Sequence, residues 1–212
     1  MSEFVVTHPL VAKLERYVVV TSFNRGRADM APFGLQIPHE HRIDPTRMDN
    51  ETFLALLQNL DGRTFGPEGM PMDRWVFYDC CYMPGIIMGF GKRARDMTDK
   101  GRALLEVPDD YDGLVPYSMY IAIPMASSPT DWMGHNLASI APQLPDENLG
   151  GLGTMTKAVA LKCFGSKGFY GATQWSSKAL HIHVKFGPLD LLTAYTPAHS
   201  DSETLTYGFE CT

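Results

Sequence analysis

Between Asn148 and Gly153 the chain reads Asn-Leu-Gly-Gly-Leu-Gly, a glycine cluster set between an extended run, 135–141, and a helical one, 154–164. The first turn of a helix has backbone N–H groups without an internal acceptor, together with the positive end of the helix dipole. An anion placed there gains several hydrogen bonds. Glycine lets the backbone approach such a ligand and adopt positive φ. The same glycines would also serve simply to turn the chain into its helix. No Gly-Lys-Ser/Thr follows, so this is not a Walker A loop, and the glycine spacing is not that of a dinucleotide fingerprint.

The rest of the chain frames this junction with strands. Residues 16–23 are rich in β-branched and aromatic residues and precede an Asn-Arg-Gly turn, which predicts a strand, with loop over 28–45. Phe53, Leu54, Leu56, Leu57 and Leu60 recur at helical spacing over 46–60, and Gly62 stands just past that helix. A hairpin is expected from 75–82 and 86–92 around Met83-Pro84-Gly85, then a strand at 117–125 and a loop at 127–132. Closing strands are expected at 169–174, 189–195 and 204–209. The expected class is α/β (α+β), with a mixed, mainly antiparallel central sheet flanked by helices. Residues 1–212 are expected to form one domain: 1–70 an N-terminal strand and helix, 75–142 antiparallel sheet, and 143–212 the ligand loop, helices and closing strands.

A net charge of -6 offers no basic surface to a phosphate backbone, so nucleic acid is not an expected partner. No stretch approaches the ~20 apolar residues of a membrane span, and the N-terminus does not read as a signal peptide. The four cysteines form no CxxC pair. The expectation is a cytoplasmic protein without membrane attachment, for which a homodimer is an open assembly.

The glycine junction resembles that of the GNAT superfamily of acyl-CoA-dependent N-acyltransferases, whose cofactor loop reads Gln/Arg-x-x-Gly-x-Gly/Ala between a strand and a helix. Asn148, Gly151 and Gly153 match its spacing, with Asn in place of Gln or Arg. Further on, Ser176, Ala179, His183 and Phe186-Gly187 fall where that family often has Asn, Ala, Tyr and Gly-Phe. The resemblance implies acetyl-CoA or another acyl-CoA as cofactor and a small-molecule or peptide amine as acceptor. It implies pyrophosphate on Gly151, Leu152, Gly153 and Thr154, with Asn148 and Ser176 also against the cofactor. Ser139, Ile140 and Ala141 would face the pantetheine arm and thioester carbonyl. His183 would be the general acid, and His135 or Glu147 a water-mediated base.

Two other readings stand beside this one. Residues 179–186 also alternate apolar and polar, and on a strand His181 and His183 would share a face on which a metal could sit, completed by His39, Glu40 and His41 or by His199. As a helix, capped at Ser176-Ser177, the same stretch separates them. The third reading is a non-catalytic CoA- or ligand-binding module of the same fold, because Asn148, Ser176 and His183 each replace a more usual residue. Cys80 and Cys81 read as small core residues, and Lys92-Arg93-Ala94-Arg95 as a solvated strand end or a contact for the cofactor's adenosine phosphate. Trp132, Tyr170 and Trp175 suit either an acceptor cleft or ordinary packing.

Overall fold

The computed structural model describes residues 8–20, 42–45, 47–74, 77, 86–125, 128–164, 167–195 and 203–210. Their strands are β1 (Glu15–Val20), β2 (Arg42–Ile43), β3 (Ile86–Arg93), β4 (Leu114–Met125), β5 (Ser128–Ser139), β6 (Gly168–Gln174), β7 (Asp190–Tyr195) and β8 (Thr204–Glu210). They form an 8-stranded sheet in the order β2-β1-β3-β4-β5-β6-β8-β7. Every neighbouring pair is antiparallel except β1–β2 and β5–β6. This is the mixed, mainly antiparallel sheet that the residue pattern predicts.

Helices cover both faces. The helix α1 (Glu51–Phe65) buries Phe53, Leu54, Leu56, Leu57 and Leu60 against one, where the rings of Phe53 and Tyr17 meet edge to face with centroids 4.9 Å apart. The helix α3 (Leu152–Phe164) lies on the other, and its Thr156 Oγ1 is 2.6 Å from Ser118 Oγ on β4. Two short helices are also described, α2 (Asp99–Leu105) and α4 (Leu180–His183). No helix among the described residues is long and apolar enough to cross a membrane.

Several expectations are corrected. The helix expected to close at Leu60 continues through Gly62 to Phe65, since one helical glycine costs only about 1 kcal/mol and Pro67 then enters a 3-10 turn. Residues 128–132, expected as loop, are the first half of β5, because β4 supplies a ladder from Met125–Ser128 onward and Trp132 is fully buried. Sequence periodicity missed α2 altogether, although its signal is present: the Thr98 hydroxyl caps it by accepting from the Gly101 amide. The strand expected at 75–82 lies almost wholly outside the described residues, and its one described member, Phe77, is helical and buried. Cys80 and Cys81 lie outside them as well. The ambiguous 176–186 stretch is a turn followed by α4 and a 3-10 turn, Val184–Phe186.

Candidate active site

The parallel seam of the sheet is short. It pairs Asp131, Trp132 and Met133 of β5 with Gly168, Phe169 and Tyr170 of β6. β6 stays paired with β8 to Gln174, and β5 with β4 to Ser139. The two strands therefore part after Met133 and Tyr170, leaving an open wedge at their C-terminal ends. Crevices of this kind are where ligands bind in sheets with parallel strands.

A β-bulge shapes one side of the wedge. The β4–β5 register shifts between Met119 and Ile121, and Asn136 takes φ of 35°. Beyond the bulge, Met119 pairs with Ala138 and Ser118 with Ser139, and the Ile140 amide donates to Tyr117 O at 2.9 Å. Backbone groups alternate along an antiparallel ladder, so the Ser139 amide, set between Ala138 and the β4-bonded Ile140, points away from β4 and toward the wedge. The Ala141 amide donates to Ser139 Oγ at 3.3 Å. Of the three residues expected at the thioester, Ser139 alone turns its amide to the opening. Ile140 and Ala141 spend theirs inside the protein.

The glycine loop follows through two 3-10 turns, Ala141–Gln143 and Pro145–Glu147, and α3 starts at Leu152. Asn148 and Gly151 both have positive φ, 53° and 85°. Leu152 donates to Leu149 O and Met155 to Gly151 O. Among the described residues, the amides of Gly150, Gly151, Gly153 and Thr154 meet no protein acceptor. Gly150 and Gly151 are exposed, whereas Leu152, Gly153 and Thr154 are buried. The imidazole of His8 borders this loop, for a Cβ built on Gly151 would lie 2.8 Å from His8 Nε2. His8 Nδ1 caps a 3-10 turn by accepting from Leu10 N, which leaves Nε2 toward the loop. No motif pointed to His8, because it approaches only through the tertiary fold.

The expected acid–base residues fall in three different environments. Glu147 accepts from Thr98 Oγ1 at 2.8 Å and from Tyr117 OH at 3.3 Å, and lies 3.4 Å from Lys92 Nζ. It is a clasp joining the loop to β3, β4 and the start of α2. Burial, with the Glu147 charge and hydrogen bond, raises the Tyr117 phenol well above its ordinary range. His135 sits opposite Ile121 on the α1 face, open to solvent along one side, and the desolvation of the rest lowers its pKa. Ser176 is exposed in the turn after β6.

His183 is buried, its Nδ1 2.7 Å from Lys157 Nζ and its ring 4.9 Å from that of Tyr207. Lys157 is fully buried on α3, with the rings of Tyr120, Phe169, Phe186, Tyr207 and Phe209 5.0–5.9 Å from its Nζ. Burial, and then the Lys157 charge, push the His183 pKa down to about 3. With Nζ donating to Nδ1, the ring keeps its hydrogen on Nε2 and is a neutral imidazole at neutral pH. His181, on the same short helix, is exposed, so the two histidines do not share a face. Among the described residues no three His, Cys, Asp or Glu gather as metal ligands; His39, Glu40, His41 and His199 lie outside them.

A hollow of about 400 Å³ is lined by Trp175, Leu180, Val184, Leu189, Leu191 and Tyr207, among others. It shares Tyr207 with the Lys157 cluster. No charged side chain among the described residues lines it, so its described lining does not compete with the α3 start for an anion.

No protein-family model matches the chain, and no curated protein is similar enough in sequence to match it. Solved structures do match it. The Arabidopsis thaliana NAA60 structure, in complex with a bisubstrate analogue, is similar over 77% of this chain and 96% of its own, at TM-score 0.53 and 9% identity. Aminoglycoside 6'-acetyltransferase type Ii is similar over 79% and 94%, at TM-score 0.51 and 15% identity. The ribosomal-protein-S18-alanine N-acetyltransferase of Escherichia coli is similar over 76% and 90%, at TM-score 0.51 and 11% identity. At such identities the likeness is one of architecture. What the chain shares with these acetyltransferases is their architecture, the GNAT fold.

Proposed function

We propose that the protein moves an acyl group from acyl-CoA to an amine, the acetyl group of acetyl-CoA being the simplest case. The observation that carries this reading is the set of amides at Gly150, Gly151, Gly153 and Thr154 without acceptors among the described residues, beside a wedge between β5 and β6. Such amides suit a pyrophosphate, and the Ser139 amide suits the oxygen of a thioester carbonyl as negative charge develops on it. The similar NatC complex, bound to a Gag peptide and CoA, and the aminoglycoside enzyme support a peptide or small-molecule amine as acceptor.

In this reaction the amine nitrogen attacks the thioester carbon, a C–N bond forms, the C–S bond breaks, and the amine proton leaves. His135, neutral and reached by solvent, suits the acceptance of that proton through water. His183 offers a hydrogen bond from Nε2 to the departing sulfur rather than an imidazolium proton, which suffices because a thiolate is a stable leaving group. Glu147 keeps its clasp. We take residues 1–212 as one unit, working in the cytoplasm.

Calorimetric titration with acetyl-CoA, CoA and dephospho-CoA tests the reading, with Gly151→Glu as the control variant. Binding that the carboxylate abolishes supports it; no binding by the wild-type protein ends it. The engaged Glu147 and the neutral His183 also favour a second reading, a CoA-binding module without turnover. Binding with no product across a panel of amines would select that one.

A further inference from the structure

Asp61 lies on α1, on the face of the sheet opposite α3, and is fully buried. Its two oxygens are both engaged: Oδ2 accepts the Met72 amide at 2.6 Å, and Oδ1 accepts Asn136 Nδ2 at 2.7 Å. Asn136 is the residue at φ of 35° in the β5 bulge, a conformation that Asn adopts more readily than most L residues, and here its side chain is tied to Asp61 on another element. Burial raises the Asp61 carboxyl pKa while these two hydrogen bonds lower it.

We propose that Asp61 is a positioning residue: by gripping the Asn136 side chain from α1 it holds the bulge of β5, and the bulge sets the strand that aims the Ser139 amide into the wedge. The grip is two-ended, since the Met72 amide fixes the carboxylate that fixes Asn136. Backbone shape on the ligand side of β5 is thereby set from the other face of the sheet. The consequence for ligand binding rests on the acyl-CoA reading; the grip itself does not.

Glycine provides the test, because it adopts positive φ without an anchor. Asp61→Ala, Asn136→Gly and the double variant are compared by acetyl-CoA calorimetry and by the amide NMR resonances of Leu137 and Ser139. Asp61→Ala is expected to move both resonances and to weaken binding by about tenfold or more, roughly the loss of one charge-assisted hydrogen bond. In the Asn136→Gly background the same change is expected to move neither resonance and to cost little binding, although thermal stability stays reduced because the Met72 bond is lost in both. Equal losses in the two backgrounds, or unmoved resonances in Asp61→Ala, overturn the proposal. If Asp61→Ala does not fold, Asp61→Asn, which keeps an acceptor for only one of the two donors, replaces it in the same cycle. If wild-type protein binds no acetyl-CoA, the acyl-CoA reading falls, and the resonance comparison still decides the grip.

Discussion

Lys157 Nζ and His183 Nδ1 are 2.7 Å apart, and that contact bolts the first half of α3 to α4 beneath a group of aromatic rings. It carries a pH signature. The pKa of His183 is about 3 in the folded protein, below the ordinary imidazole value near 6.5, so the unfolded chain binds the extra proton first. His183 therefore contributes stability that is complete above about pH 6.5 and is lost as pH falls toward 3, by at most ~1.4 kcal/mol per pH unit. Urea unfolding at pH 7.5 and 5.0 should show the fall in wild type and a shallower one in His183→Asn.

Removing the neighbouring charge should move the same group. In Lys157→Met the cationic neighbour is gone while burial, the larger cause, remains. The His183 pKa should rise part of the way to its ordinary value, read from imidazole NMR shifts against pH.

Ser118 and Thr156 form the middle of a buried relay. The Phe90 amide donates to Ser118 Oγ, the two hydroxyls meet at 2.6 Å, and Thr156 Oγ1 donates to Leu152 O at the start of α3. Thr156→Val fills the same volume but leaves the Ser118 hydroxyl without an acceptor for its proton, at a cost of about 1–3 kcal/mol. Urea denaturation measures the loss, and Thr156→Ser should recover most of it.

Gly151 answers to two constraints at once, its φ of 85° and the nearby His8 ring. Gly151→Ala should destabilise the protein by about 1–2 kcal/mol from the backbone term alone. His8→Ala, by opening space for the new methyl group, should recover only the part due to crowding. Thermal unfolding of the two single variants and the double variant separates the contributions.

Glu147→Gln distinguishes a clasp from a base. The amide side chain still accepts from Thr98 but has no charge for Lys92, so stability should fall by about 1 kcal/mol or less. Turnover at saturating amine should be unchanged; a collapse of turnover with stability intact would make Glu147 the base.

The strands and the α3 junction were legible because their signals are local: alternation in 117–125, clustered glycines at 150–153, leucines at helical spacing in 53–60. What stayed hidden depends on partners far along the chain. Residues 128–132 include Pro129 and Asp131, poor strand formers, and become a strand because β4 lies alongside. The alternation at 179–186 favoured strand and helix equally, and the contact of His183 with Lys157, 26 residues away, accompanies the helical outcome. Which strand amides face the wedge follows from the bulge at Asn136, and no pattern in His135-Asn136-Leu137 announces a positive φ. Nothing in the residue pattern of 154–164 marks Lys157 as interior, yet it is fully buried.

The seam of three residue pairs between β5 and β6 has a mechanical meaning. Among the described residues it is the sole ladder joining β6, β8 and β7 to the rest of the sheet, whereas β6 and β8 share seven pairs. Deuterium should enter the amides of β6, β7 and β8 together, earlier than those of β3 and β4, as the C-terminal leaf swings free on its narrow strip of pairing while the larger leaf stays shut.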